Sequence, residues 1–126
     1  MIIRKIEEGI IDVPRIPKSE KIKRGIYILV YEGKIIKVGI FGEGVNSNNI
    51  SRFAAYRNMG RNISNRNGSF KTINTINENL KVGEEIEVRF KELPDDIFQD
   101  GYWWKVDLYY EEKKLKDIYK DTLWLN

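Results

Sequence analysis

Two apolar runs separated by a Glu-Gly pair constrain this chain more than any other feature of its sequence. Gly25-Ile26-Tyr27-Ile28-Leu29-Val30-Tyr31 is built of β-branched, aromatic and aliphatic residues, and Ile35-Ile36-Lys37-Val38-Gly39-Ile40 follows at once. Neither has the spacing of an amphipathic helix, so both read as buried strands, and Glu32-Gly33 between them marks a tight turn. Together they make an antiparallel hairpin. The lysine within the second run is unusual, because burying an ammonium without a partner is costly.

The remaining elements follow from local signals. Residues 1–23 mix charges with isoleucine and hold Pro14 and Pro17, which prevent a long helix, and they read as an N-terminal arm. Ser47 or Asn48 is placed to cap a helix over roughly 49–59 that Gly60 stops. Ser69 would cap a second, from Phe70 to about Lys81, with Phe70, Ile73, Ile76, Asn77 and Leu80 on one face and Gly83 beyond its end. Glu85 to Lys91 alternates with period two, predicting a half-buried strand with Ile86, Val88 and Phe90 inward, at an edge or third in the sheet. After a loop from Leu93 to Gly101, Trp104, Leu108, Leu115 and Ile118 recur at helical spacing and predict a helix over about 103–119. The expected fold is α+β: a small antiparallel or mixed three-stranded sheet flanked by three helices, with the arm (1–23) preceding one domain (24–126).

Composition removes whole classes of chemistry. The 126 residues contain no cysteine and no histidine, so disulfides, thiol nucleophiles and any mechanism using imidazole as base or ligand are excluded. No apolar run approaches the ~20 residues that span a bilayer, and Lys5, Glu7 and Glu8 interrupt the start of the chain, so a cytoplasmic protein without a membrane association is expected.

Charge is distributed unevenly. From Val45 to Asn77 there is no acid, whereas Arg52, Arg57, Arg61, Arg66 and Lys71 supply five cations, more than the whole net charge of +3. Interleaved with Asn, Ser, Phe53 and Tyr56, such a segment suits a polyanion: guanidinium forks hold phosphates and amides reach base edges. A solvated basic face is the plainer reading of the same pattern. On the first reading Arg57, Arg61, Arg66 and Lys71 contact a nucleic-acid backbone.

The stretch GIYILVYEGKIIKVG, followed by an arginine-bearing helix, a third strand and a late glutamate-bearing helix, resembles the GIY-YIG endonuclease family. Gly25-Ile26-Tyr27 matches the first motif and Lys37-Val38-Gly39 stands in the place of the second, ten residues from Tyr27 to Lys37. Lysine in place of the second tyrosine is similar to the restriction-enzyme-like branch, and Tyr56 stands where many relatives have histidine. The resemblance, spanning residues 24–126, implies a Mg²⁺- or Mn²⁺-dependent hydrolase that cleaves DNA phosphodiesters in one step by water attack. In that scheme Tyr27 orients or deprotonates the water, Lys37 shares the developing charge and Arg52 clamps a phosphate oxygen, with Arg57 as its competitor. The metal-binding glutamate comes from the last helix. Glu111 is preferred, because Tyr110, Leu108, Leu115 and Ile118 surround it as apolar residues do in relatives; Glu112 is the rival. Asn126 corresponds to an asparagine that relatives carry after this helix. With one site per chain, cutting both strands takes a second visit or a homodimer. The competing reading is a catalytically silent nucleic-acid-binding or protein-interaction module on the same scaffold.

The resemblance makes a geometric demand. A strict two-residue turn at Glu32-Gly33 would pair Tyr27 with Val38 and send Lys37 to the opposite face. Sharing a face requires Tyr27 opposite Gly39 and Leu29 opposite Lys37, hence a three-residue turn or a bulge.

Overall fold

The computed structural model describes residues 1–44, 47–63 and 71–125. The chain is α+β. Among the described residues it forms strands β1 (Ile2–Glu7), β2 (Ile10–Asp12), β3 (Gly25–Tyr31) and β4 (Lys34–Phe41), helices α1 (Asn49–Gly60) and α2 (Lys71–Asn79), strands β5 (Glu85–Glu92), β6 (Asp96–Gln99) and β7 (Tyr102–Lys105), and helix α3 (Leu108–Ile118). No helix among them is long and apolar enough to cross a membrane.

The main sheet has five strands in the order β2-β1-β5-β3-β4, not the three expected, and its described pairings are antiparallel. The extra two come from the segment read as an arm. Its period-two pattern is disguised by Lys5, which takes an inward position and is only 3% exposed. The Lys5 ammonium donates to the carbonyl oxygens of Asn77 and Leu80 at the end of α2 and pairs with Glu8. It thereby satisfies carbonyls that the helix end leaves open and sits at the negative end of the helix dipole. Asn49, fully buried in α1, fastens the following segment: its side chain accepts from the Ile22 amide and donates to the Glu20 carbonyl.

The helices cover both faces of the sheet. Phe53 and Tyr56 of α1, Ile73 and Ile76 of α2, and Leu80 pack against Ile3, Tyr27, Leu29, Ile86 and Val88 on one side. On the other, Leu108 and Leu115 of α3 pack against Ile26, Val38 and Ile40. Strand β5 is interior, between β1 and β3, with Ile86 and Val88 buried and Phe90 packed against the core. Asn48 caps α1 through a reciprocal capping box with Ser51. The expected cap Ser69 and first residue Phe70 of α2 lie outside the described residues, as do Arg66 and Asn126.

The third helix starts later than its spacing suggested. Asp107 accepts from the amides of Tyr109 and Tyr110 as N-cap, and Tyr102 to Lys105 is a strand. Asp100-Gly101, both with positive φ, close a tight β6–β7 hairpin that forms its own two-stranded sheet. Trp104 therefore contributes nothing to the helix stripe.

Candidate active site

The β3–β4 hairpin meets the geometric demand through a bulge. Glu32-Gly33 is a two-residue turn with φ of 52° and 75°, pairing Tyr31 with Lys34. One extra residue in β4 then shifts the register between Leu29 and Val30, so that Leu29 faces Lys37 and Tyr27 faces Gly39. Tyr27 and Lys37 consequently share a face, and β4 is the sheet's edge strand, open to groups arriving from both layers.

Tyr27 is 2% exposed, and its hydroxyl shares a 2.7 Å hydrogen bond with that of Tyr56. Phe53 stands edge-on to the Tyr27 ring, 5.1 Å between centroids. Burial, and then the adjacent Tyr56, push the Tyr27 phenol well above its ordinary value; Arg52 pulls it down and Glu112 pushes it up. The ring is thus held protonated and fixed.

Lys37 is half-buried, and its ammonium is pulled below its ordinary pKa first by burial. Lys116 acts in the same direction, Glu112 opposes it, and Arg52 and Lys71 add smaller repulsions. Arg52, in the first turn of α1, donates to the Ile40 carbonyl at the edge of β4. The charges of Arg52, Lys71, Lys116 and Glu112 are thus all felt at Lys37, and those of Arg52 and Glu112 at Tyr27 as well. Such a collection attracts a polyanion.

The carboxylate among these groups is Glu112. It pairs with Lys116 at 3.4 Å, and its charge is felt at both Tyr27 and Lys37. Glu111 pairs with Lys114 at 3.1 Å and influences neither shifted group. The resemblance preferred Glu111 for its apolar surroundings, but of these Tyr110 is 59% and Ile118 69% exposed, and only Leu108 and Leu115 pack inward. Glu112 is also the more buried of the two, its side chain 18% exposed against 30% for Glu111.

Arg57 lies elsewhere. Its guanidinium is pulled down by burial and by Arg15 and Arg61, and its Nε has no hydrogen-bond partner among the described residues. Arg57 and Arg61 therefore form a second basic group with Arg15 of the N-terminal segment, which sequence reading had not connected with them. Lys71 joins the Lys37 group instead.

Among the described residues no three carboxylates converge. A divalent ion here would have Glu112 as its protein ligand, the remainder coming from water and substrate phosphate, a mode open to Mg²⁺. A cavity of about 230 Å³ lined by Ile26, Ile28, Ile35 and Leu115 together with Arg89 and Lys91 includes none of Tyr27, Lys37, Arg52 or Glu112. Comparison with protein-family models, with characterised proteins and with solved structures returned no match.

Proposed function

We infer that the protein is a divalent-metal-dependent endonuclease that hydrolyses DNA phosphodiesters by one-step attack of water. The observation that carries this reading is that Tyr27 and Lys37 share a face at the β4 edge, where Arg52 reaches the Ile40 carbonyl and the charges of Arg52, Lys71, Lys116 and Glu112 are felt at Lys37. Lys37, Arg52, Lys71 and Lys116 draw a phosphodiester to that edge, and Arg52 clamps a non-bridging oxygen. A divalent ion on Glu112 would stabilise charge on the phosphate. Tyr27, held protonated, is suited to donating a hydrogen bond that positions the water or phosphate. Lys37, whose pKa is lowered, is the better candidate to accept the water's proton. The Arg15, Arg57 and Arg61 group provides flanking backbone contacts. A cytoplasmic location and a homodimer for two-strand cleavage belong to the same reading.

The competing reading, a silent nucleic-acid-binding or protein-interaction module, draws on the burial of Tyr27 and the use of its hydroxyl by Tyr56. The test is incubation of supercoiled plasmid with protein and Mg²⁺ or Mn²⁺, beside Lys37→Met, Arg52→Ala and Glu112→Gln. Nicking lost in the variants while DNA binding persists supports the enzyme. Tight binding by wild type without nicking supports the silent module and sinks the enzyme.

A further inference from the structure

The two flanks of α1 carry different cations. Arg52 and Arg57 stand five residues apart, about 140° around the helix, so Arg57 and, one turn on, Arg61 face the N-terminal segment rather than β4. The close of α1 is pinned to that segment. Gly60 leaves no room for a β-carbon against the Ile11 carbonyl, and the Ile63 amide donates to the Gly9 carbonyl. Four residues beyond Ile11, Arg15 comes alongside, and the Arg57 guanidinium feels both it and Arg61. Asn49 holds the rest of the segment through Glu20 and Ile22, so Arg15 is carried by backbone tied down on both sides of it.

Among the described residues nothing neutralises this group. None of the three arginines makes an ion pair there, and Asp12 and Glu20, the acids on either side of Arg15 in the sequence, pair with none of them. No acid occurs from Val45 to Asn77. The end of α1 favours a cation through its dipole, yet like charges held together without a counter-charge repel. Arg57 Nε is moreover a buried donor with no acceptor among the described residues, and such a donor is costly unless an acceptor comes from outside the chain. An oxyanion supplies both the charge and the acceptor.

Arg15 also lines a cleft of about 500 Å³, walled by Pro14, Ile16, Ile22 and Phe90 and carrying Glu20. Its size lies within the ~300–1,000 Å³ of small-molecule sites, and its makeup is that of one, apolar walls with few polar groups. Such walls take the faces of a flat ring, and Glu20, the one acid lining the cleft, accepts from an amine on that ring's edge. We propose that Arg15, Arg57 and Arg61 bind a phosphomonoester whose attached nucleoside enters this cleft, as a free mononucleotide or the phosphorylated end of a strand. Charge selects the monoester over a backbone diester, about −1.5 to −2 against about −1, opposite three guanidinium groups. This site is more than a flanking backbone contact, and it involves neither Glu112 nor a metal.

The test is calorimetric titration of the full chain in EDTA with deoxyadenosine phosphorylated at either sugar hydroxyl, beside deoxyadenosine, inorganic phosphate and the methyl ester of each nucleotide. Without metal the outcome is independent of nicking, so this site and the nuclease reading stand or fall separately. At least one monophosphate should bind below roughly 1 mM, with deoxyadenosine, inorganic phosphate and the methyl esters at least ~10-fold weaker. Arg15→Ala and, separately, Arg61→Ala should each weaken that binding at least ~10-fold, the scale of losing a charge-assisted hydrogen bond, with circular dichroism unchanged. Both side chains are exposed, so their loss spares the core. A short single strand with a terminal phosphate that binds more tightly than its hydroxyl-ended twin, and loses that advantage in Arg15→Ala, identifies a strand end as the source. Equal binding of the two strands beside tight binding of the mononucleotide identifies the free nucleotide. Absence of binding by both monophosphates at roughly 5 mM overturns the proposal. Methyl esters that bind as well as the monoesters overturn it in favour of a backbone contact. Inorganic phosphate or deoxyadenosine matching the nucleotides, or affinity retained in both arginine variants, overturns it outright.

Discussion

The ring of Tyr27 lies directly over the backbone of Gly39, its cross-strand partner: a β-carbon at residue 39 would come within 2.2 Å of the ring. The bulge in β4 creates this pairing, and the glycine of Lys37-Val38-Gly39 leaves room for the tyrosine to fold across its neighbour and reach Tyr56. Gly39→Ala is therefore expected to cost about 2–3 kcal/mol through overpacking, measured by urea denaturation. Combined with Tyr27→Ala, the same change should cost less than about 1 kcal/mol, since the obstruction is gone.

The Tyr27–Tyr56 hydrogen bond predicts a measurable coupling. Tyr27→Phe or Tyr56→Phe should each cost about 1 kcal/mol, because the surviving hydroxyl is left buried without its partner, whereas the double variant should cost less than the sum. Alkaline titration gives a second check. The folded-state pKa of Tyr27 is raised and its unfolded value is near 10, so its contribution to stability is intact below pH 10 and falls as pH rises above that. Ultraviolet titration of the seven tyrosines should show fewer than seven ionising before the chain unfolds.

Glu112→Gln should lower metal-dependent nicking at least ~100-fold, the scale of losing a group that stabilises transition-state charge. Glu111→Gln should leave the rate within about threefold, because Glu111 pairs with Lys114 at the side of α3. Equal effects from the two substitutions would defeat the assignment to Glu112.

Lys37→Met is expected to separate stability from activity. The fold lowers the lysine's pKa, so the unfolded chain binds the proton more readily, and holding the charged form costs stability at neutral pH. That cost is relieved as pH rises from the lowered folded value towards 10.5. The variant should be more stable than wild type at pH 7 by about 1 kcal/mol, with the advantage shrinking at alkaline pH, and should lose nicking.

The two basic groups should contribute separately to DNA affinity. Arg61→Ala or Lys71→Ala should weaken binding uniformly across sequences and reduce the slope of log affinity against log salt by about 1 each. An unchanged salt slope in both variants would remove these residues from the interface.

Sequence alone determined the β3–β4 hairpin, because runs such as Gly25 to Tyr31 are readable without neighbours, and it determined that Tyr27 and Lys37 share a face only with an added residue in the hairpin. The α1 helix with its Asn48 cap was legible for the same local reason, as was the concentration of arginines along it. The N-terminal strands were not, since Lys5 occupies an inward position made tolerable only by the end of α2, some seventy residues away in the chain. The β6–β7 hairpin was hidden by aromatics that also fit a helical spacing, although Asp100-Gly101 carried a turn signal. That the charge of Glu112 is felt at Tyr27 and Lys37 became visible only once α3 had packed on the sheet. Local backbone preference is written residue by residue; the direction a helix faces, and the partner that satisfies a buried charge, exist only once distant segments have packed.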